Sequence, residues 1–220
     1  MNGPRPIRKE IIRAAEADLP VISELAGVIW RACYPGIITH AQIDYMLARM
    51  YAPDVLRDEI RSQGIWYDLL LVDGKPVGFA SYGPVAATPP SQKVVATPRR
   101  RSESHPSVAA GQHAPGAAHF TLGDEASPPP PTPVPEFKLH KLYLLPELHG
   151  RGLGSRLLEQ VESEVRQIGA GRLILSVNKR NVKVIAAYQR NGFVIAQSIV
   201  TDIGGGFVMD DYVMAKNMAA

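Results

Sequence analysis

LLPELHGRGLGSRLLEQV, residues 144 to 161, sets three glycines, Gly150, Gly152 and Gly154, between an apolar run and a leucine-spaced helical pattern. Upstream, EFKLHKLYLL (136 to 145) reads as a strand. Downstream, Leu153, Leu157, Leu158, Val161, Val165 and Ile168 recur at helical spacing as far as Gly169. A strand that runs into glycine-rich backbone and then a helix N-terminus makes an anion site, because the first-turn amides lack partners and the helix dipole points at the ligand. Two known phosphate loops are excluded by residue type. A Walker loop needs Lys-Ser/Thr after its last glycine, and Ser155-Arg156 stands there instead. A dinucleotide fold needs G-x-G-x-x-G with an acid near the end of the next strand, whereas the spacing here is G-x-G-x-G and Asn178 follows that strand.

Outward from this junction the chain alternates strand and helix patterns. Residues 10 to 14 read as a short strand, and Asp18 caps a helix that places Ile22, Leu25, Ile29 and Cys33 on one face. Thr39-His-Ala-Gln42 has capping-box form before Ile43, Met46, Leu47 and Met50, and a third helix spans 54 to 62. Strands at 65 to 72 and 76 to 82 flank Asp73-Gly74, a strong hairpin signal. After the glycine stretch come a strand at 172 to 177, a helix at 181 to 190 closed by Asn191-Gly192, and a final hairpin, 193 to 200 and 207 to 216, around Gly204 to Gly206. The order is βααα-ββ, an interruption, then βα-βα-ββ.

The interruption, residues 84 to 135, holds twelve of the chain's 19 prolines, Arg99-Arg100-Arg101 and few large apolar residues. Such a tract buries too little surface to offset its ordering entropy, so it reads as a disordered insertion in a single domain spanning 1 to 220. The arginines allow contact with nucleic acid or an acidic partner. Without interleaved aromatics, however, the tract reads first as a tolerated surface loop, and nucleic acid is not an expected partner. At 220 residues, 45% hydrophobic and with a formal charge of +3, the chain suffices for one sizeable core. A single cysteine, Cys33, excludes an internal disulfide and a Cys-rich zinc site and suits a reducing compartment. No metal site is expected. No apolar run approaches the ~18 residues of a spanning helix, so no membrane is expected and the location reads as cytoplasmic.

HGRGLG resembles the [Q/R]-x-x-G-x-[G/A] pyrophosphate loop of the GNAT superfamily of acyl-CoA-dependent N-acetyltransferases, with His149 where that family usually has Gln or Arg. LSVNKRNVKVIAAYQRNGF (175 to 193) is similar to the family's N-x6-Y-x3-G-F pattern, and WYDLLLVDGKPVGFASY (66 to 82) to its second and third strands. The resemblance implies an α/β (α+β) fold: a mixed, mostly antiparallel central sheet, helices on both faces, and a splayed pair of strands that binds acyl-CoA. It implies that backbone groups of Leu142, Tyr143 and Leu144 pair with the pantetheine arm of acetyl-CoA. The loop His149, Gly150, Arg151, Gly152, Leu153, Gly154 and Ser155 would hold the pyrophosphate, Asn181 would bond the pantetheine, and Tyr188 would donate a proton to the leaving sulfur.

Acyl transfer to an amine also needs a proton acceptor. Period-2 alternation puts Lys138 and His140 on the strand face opposite Tyr143. His140, with an unperturbed pKa of ~6.5, is the first candidate for the base; Glu136 and a water chain are the others. Asp44, Tyr45, Glu59, Asp202, Asp210 and Asp211 offer charge or polarity to a cationic acceptor, and THAQIDYML (39 to 47) resembles the substrate-side helices of members that include polyamine acetyltransferases. The expected partners are acetyl-CoA and a small primary amine, with a protein acceptor or non-catalytic acyl-CoA sensing as alternatives. A homodimer is compatible with this reading.

Overall fold

A computed structural model of the chain describes residues 7–85 and 134–218. Most of the proline-rich interruption, residues 86–133, lies outside the described residues, so the expectation of a disordered insertion concerns a segment not described.

Seven strands form one sheet, β1 (Lys9–Arg13), β2 (Trp66–Val72), β3 (Lys75–Pro84), β4 (Glu136–Leu144), β5 (Arg172–Asn178), β6 (Val194–Gly204) and β7 (Phe207–Asn217), in the order β1-β2-β3-β4-β5-β7-β6. Only β4 and β5 run parallel; every other pair is antiparallel. Five helices, α1 (Leu19–Cys33), α2 (His40–Met50), α3 (Pro53–Arg61), α4 (Leu153–Gln167) and α5 (Val182–Arg190), cover the two faces. The mixed, mostly antiparallel sheet with helices on both faces is the architecture expected from the sequence.

Each element follows from local chemistry. Asp73 and Gly74 both take positive φ (50° and 77°), as a two-residue hairpin with the right-handed twist of its strands requires. The Thr39 hydroxyl accepts from the Gln42 amide (3.2 Å) and caps α2, but the Gln42 side chain turns away to donate to the Val208 carbonyl (2.9 Å), so only half of the expected capping box forms. Asp18 opens α1 without capping it, because its carboxylate accepts from the Ala15 amide instead (2.8 Å).

Two apolar cores lie on opposite faces of the sheet. On one, Leu153, Leu157, Leu158, Val161 and Val165 of α4 bury their stripe against Leu139, Leu144, Leu173 and Leu175. Each such side chain contributes roughly 1.5–3 kcal/mol on burial. On the other, α1 to α3 pack Ile22, Ile29, Trp30, Ile43, Met46 and Leu56 against Tyr67, Leu69 and Phe79.

Two irregularities set β4 apart from the other strands. β4 and β5 pair only from Glu136–Arg172 to Leu139–Leu175, after which both strands continue without pairing to each other. Opposite Tyr82 and Ser81 of β3 the register of β4 jumps from Leu139 to Lys141, leaving His140 as the extra residue of a β-bulge.

Candidate active site

The glycine stretch lies at the open end of this splay. Gly152 sits at φ 74° and is the N-cap of α4, with no side chain capping the helix. Arg156 N–H already returns to the Gly152 carbonyl (3.1 Å), so the amides of Leu153, Gly154 and Ser155 are the first-turn donors left without an intrahelical acceptor. Gly152 needs its glycine for backbone conformation. Gly154 does not: it has no positive φ, and a Cβ built on it meets nothing within 4 Å. Neither packing nor torsion accounts for a glycine there, while close approach of a ligand to the helix N-terminus does. Arg151 and Arg156 are exposed beside it, and Arg156 also reaches the Lys9 carbonyl (3.3 Å).

His149 is drawn into the strand end. Its Nε2–H donates to the Leu144 carbonyl (2.9 Å), which commits that proton to the protein rather than to a phosphate. The same contact reports where the edge of β4 points. Leu145 N–H bonds the Val77 carbonyl of β3 (2.9 Å), so strand alternation directs the backbone groups of Tyr143 toward β3 and those of Leu142 and Leu144 toward the gap left by β5. Among the three residues expected to present backbone to a pantetheine, Leu142 and Leu144 face the gap. Tyr143 does not, because its backbone is used in the β3 ladder and it enters the site through its ring.

The bulge also overturns the expected face of His140. With one extra residue in β4, alternation restarts: Leu139, Leu142 and Leu144 pack with α4, whereas Lys141 and Tyr143 turn to the side of α1 to α3. His140 is held between the two lysines. Burial first, then Lys138 and Lys141, push its pKa down to about 4, and its buried Nε2 has no hydrogen-bond partner among the described residues. An imidazole so placed is neutral at neutral pH and a weak proton acceptor.

On the far side of the gap, Asn181 is the N-cap residue of α5, and Tyr188 follows two turns later on the same helix face. The Tyr188 ring packs edge-on to Phe193 (5.6 Å), and burial alone raises its pKa, which keeps the phenol protonated. Its hydroxyl makes none of the hydrogen bonds found among the described residues. Tyr34, at the C-terminal end of α1, was not expected at the site. Its hydroxyl is 3.3 Å from that of Tyr143 and lies within electrostatic reach of Tyr188 and Asp211. Tyr34 therefore marks where α1, β4, α5 and β7 converge, a meeting of four distant segments that no spacing in the sequence reveals.

The charged and polar side chains offered to an acceptor are sorted by their contacts. Asp44 pairs with Arg31 (3.0 Å), Asp210 with Lys179, and Asp202 accepts from the Gly204 amide (2.7 Å). Tyr45 donates to the Ile203 carbonyl (2.7 Å). Glu59 binds the buried Lys141 ammonium (2.7 Å to Oε1), and Tyr67 bonds both groups. Asp211 differs. It is 7% exposed, and its buried Oδ1 has no partner among the described residues. Glu136, the alternative base, pairs with Arg172 (2.9 Å). Burial raises the pKa of the Cys33 thiol, which keeps it in the unreactive form.

The Acetyltransferase (GNAT) family model matches residues 29–193. An uncharacterized N-acetyltransferase of Mycobacterium bovis is 34% identical over 83 residues, 38% of this chain. The match spans about half, 53%, of that relative's length, and an uncharacterized N-acetyltransferase of Mycobacterium tuberculosis matches equally. The PaiA N-acetyltransferase of Thermoplasma acidophilum in complex with coenzyme A superposes with a TM-score of 0.63 at 21% identity, covering 96% of this chain and 99% of that one. The ribosomal-protein-S18-alanine N-acetyltransferase of Escherichia coli does so with a TM-score of 0.58 at 17% identity, covering 97% and 96%. At these identities the likeness is one of fold.

Proposed function

The chain belongs to the acetyltransferase (GNAT) family, and from that premise we propose that it moves the acetyl group of acetyl-CoA directly onto the primary amine of a small molecule. The observation that carries this reading is the parting of β4 from β5 after Leu139–Leu175, with the uncapped N-terminus of α4 at its open end. The edge of Leu142 and Leu144, which β5 leaves unpaired and where His149 takes only the Leu144 carbonyl, suits the amides of a pantetheine arm, and the free amides of Leu153 to Ser155 above the open space at Gly154 suit a pyrophosphate. His149 positions the Leu144 carbonyl, and Asn181 stands at the opposite wall.

Acetyl-CoA supplies a thioester whose carbonyl carbon accepts the amine. Tyr188, kept protonated by burial, donates its phenolic proton to the departing sulfur. Direct transfer accords with Cys33, the chain's one thiol, lying far in sequence from both the glycine stretch and the Asn181–Tyr188 segment. Retention of a protonated Tyr188 at the gap favours turnover over acyl-CoA sensing alone.

The test pairs binding with turnover. Acetyl-CoA is expected to raise the melting temperature, and thiol release from acetyl-CoA is expected with at least one member of a panel of mono-, di- and polyamines and N-terminal peptides. If neither occurs, the reading fails; release with peptides alone would move the acceptor class from small amines to proteins.

A further inference from the structure

We infer that Asp211 is the general base of the proposed transfer, taking a proton from the acceptor's ammonium group, so that the acceptor is a primary amine that arrives protonated. The inference rests on the acetyltransferase reading and deepens it.

Asp211 pairs in register with Asn178, the last residue of β5, so it stands at the splayed end of the sheet. Burial first, then Tyr143, then Tyr188 and Asp211 raise the pKa of the Tyr34 hydroxyl, so the proposed acid and base both act on that one group. A groove of about 420 Å³, lined by Ile38, Thr39, Asn178, Arg180 and Asp210, borders the same strand end beside Asp210, the chain neighbour of Asp211. Arg180 closes one side by donating to the Ile37 carbonyl (2.9 Å).

A buried carboxylate oxygen with no donor is costly, and such a group persists where function supplies the missing partner. Asp44, Glu59, Asp202 and Asp210 already have theirs. Burial first and Asp210 second raise the pKa of Asp211, against Lys138 and Lys179, which makes it a better proton acceptor than an ordinary carboxylate. His140, the base that strand alternation suggests, is weakened first by burial and then by the two lysines beside it.

The step balances. One N–H bond of the ammonium breaks and an O–H bond forms on Asp211, leaving a lone pair on nitrogen. That pair forms the N–C bond as the C–S bond breaks, the sulfur takes the Tyr188 proton, and the second ammonium proton restores Tyr188. Asp211 returns its proton to solvent, so acetylamide, free thiol and one proton leave.

The experiment is Asp211→Asn, which keeps shape and hydrogen bonding but not basicity. In wild type, kcat/KM for an active amine is expected to be level between neutral pH and the amine's own pKa. In the variant it should fall by about 10²-fold or more at pH 7. It should then climb tenfold per pH unit, recovering as the amine loses its proton unaided. Acetyl-CoA affinity should stay within about threefold and Tm should hold or rise, because the variant removes a buried charge without a partner. An equal loss at every pH, a lowered Tm, or a variant within threefold of wild type at pH 7 would overturn the assignment while leaving the acetyltransferase reading intact. A wild-type protein that releases no thiol with any amine would remove that reading and this inference with it.

Discussion

At Tyr188 the two roles of a half-buried tyrosine separate experimentally. Its ring fills a place beside Phe193 whether or not its hydroxyl reacts, so Tyr188→Phe keeps the packing and deletes the donor. Turnover should fall about 10²-fold or more with acetyl-CoA affinity nearly unchanged, as read by single-turnover kinetics and calorimetry; parallel loss of both would mean that the ring's packing is all that matters. Gly154→Val tests the other wall. A Cβ there meets no atom within 4 Å beyond its own turn, so the fold should hold, while coenzyme A binding should weaken at least tenfold. His140 yields a stability prediction instead. Its folded pKa of about 4 lies below its unfolded ~6.5, so the unfolded chain binds the extra proton between those values. The contribution is complete above pH 6.5 and is lost as pH falls toward 4, on the order of 3 kcal/mol over the window. Urea titrations at pH 7 and 4.5 should show this loss in wild type and not in His140→Gln.

At the scale of the element, β4 carries the site because it is irregular. A regular β4 would pair with β5 along its whole length and leave no edge for a ligand; the bulge at His140 and the end of pairing at Leu139 create one. The bulge also swings Lys141 into the face covered by α3, where its side chain is 2% exposed and its ammonium is held by Glu59 and Tyr67. Removing one partner of such a pair strands the other without compensation. Lys141→Ala should therefore cost about 3–5 kcal/mol, and Lys141→Met combined with Glu59→Leu should recover most of it by replacing the pair with apolar contacts. Denaturant unfolding of the two variants beside wild type checks this. Equal destabilisation of the single and double variants would show that the lysine is needed for packing rather than charge balance.

For the whole molecule, β3 and β4 are antiparallel neighbours whose connection begins and ends side by side, with Val85 N–H on the Glu136 carbonyl (2.9 Å). A short turn can therefore replace residues 88 to 132. Closing a loop about tenfold shorter is expected to stabilise the domain by about 2 kcal/mol, and loss of cooperative melting in the deletion variant would contradict that. The element order, the hairpin at Asp73-Gly74, the stripe of α4 and its glycine-rich N-terminus were all legible in the sequence, because turn chemistry, apolar period and glycine spacing act over a few residues. Tyr188 and Asn181 could be placed on one helix face for the same reason. The face of His140 could not, since a single bulged residue, set by pairing with β3, reverses every later alternation. Nor could Tyr34 be joined to the site, or Asp211 be told apart from Glu59 among the acceptor-side candidates, because a carboxylate alone in a sequence carries no sign of whether a lysine eighty residues away will neutralise it. What the sequence determined by itself was local, namely the elements and the glycine-rich junction between β4 and α4. What only the tertiary structure decided was which charged groups find partners, since that depends on which segments the sheet brings together.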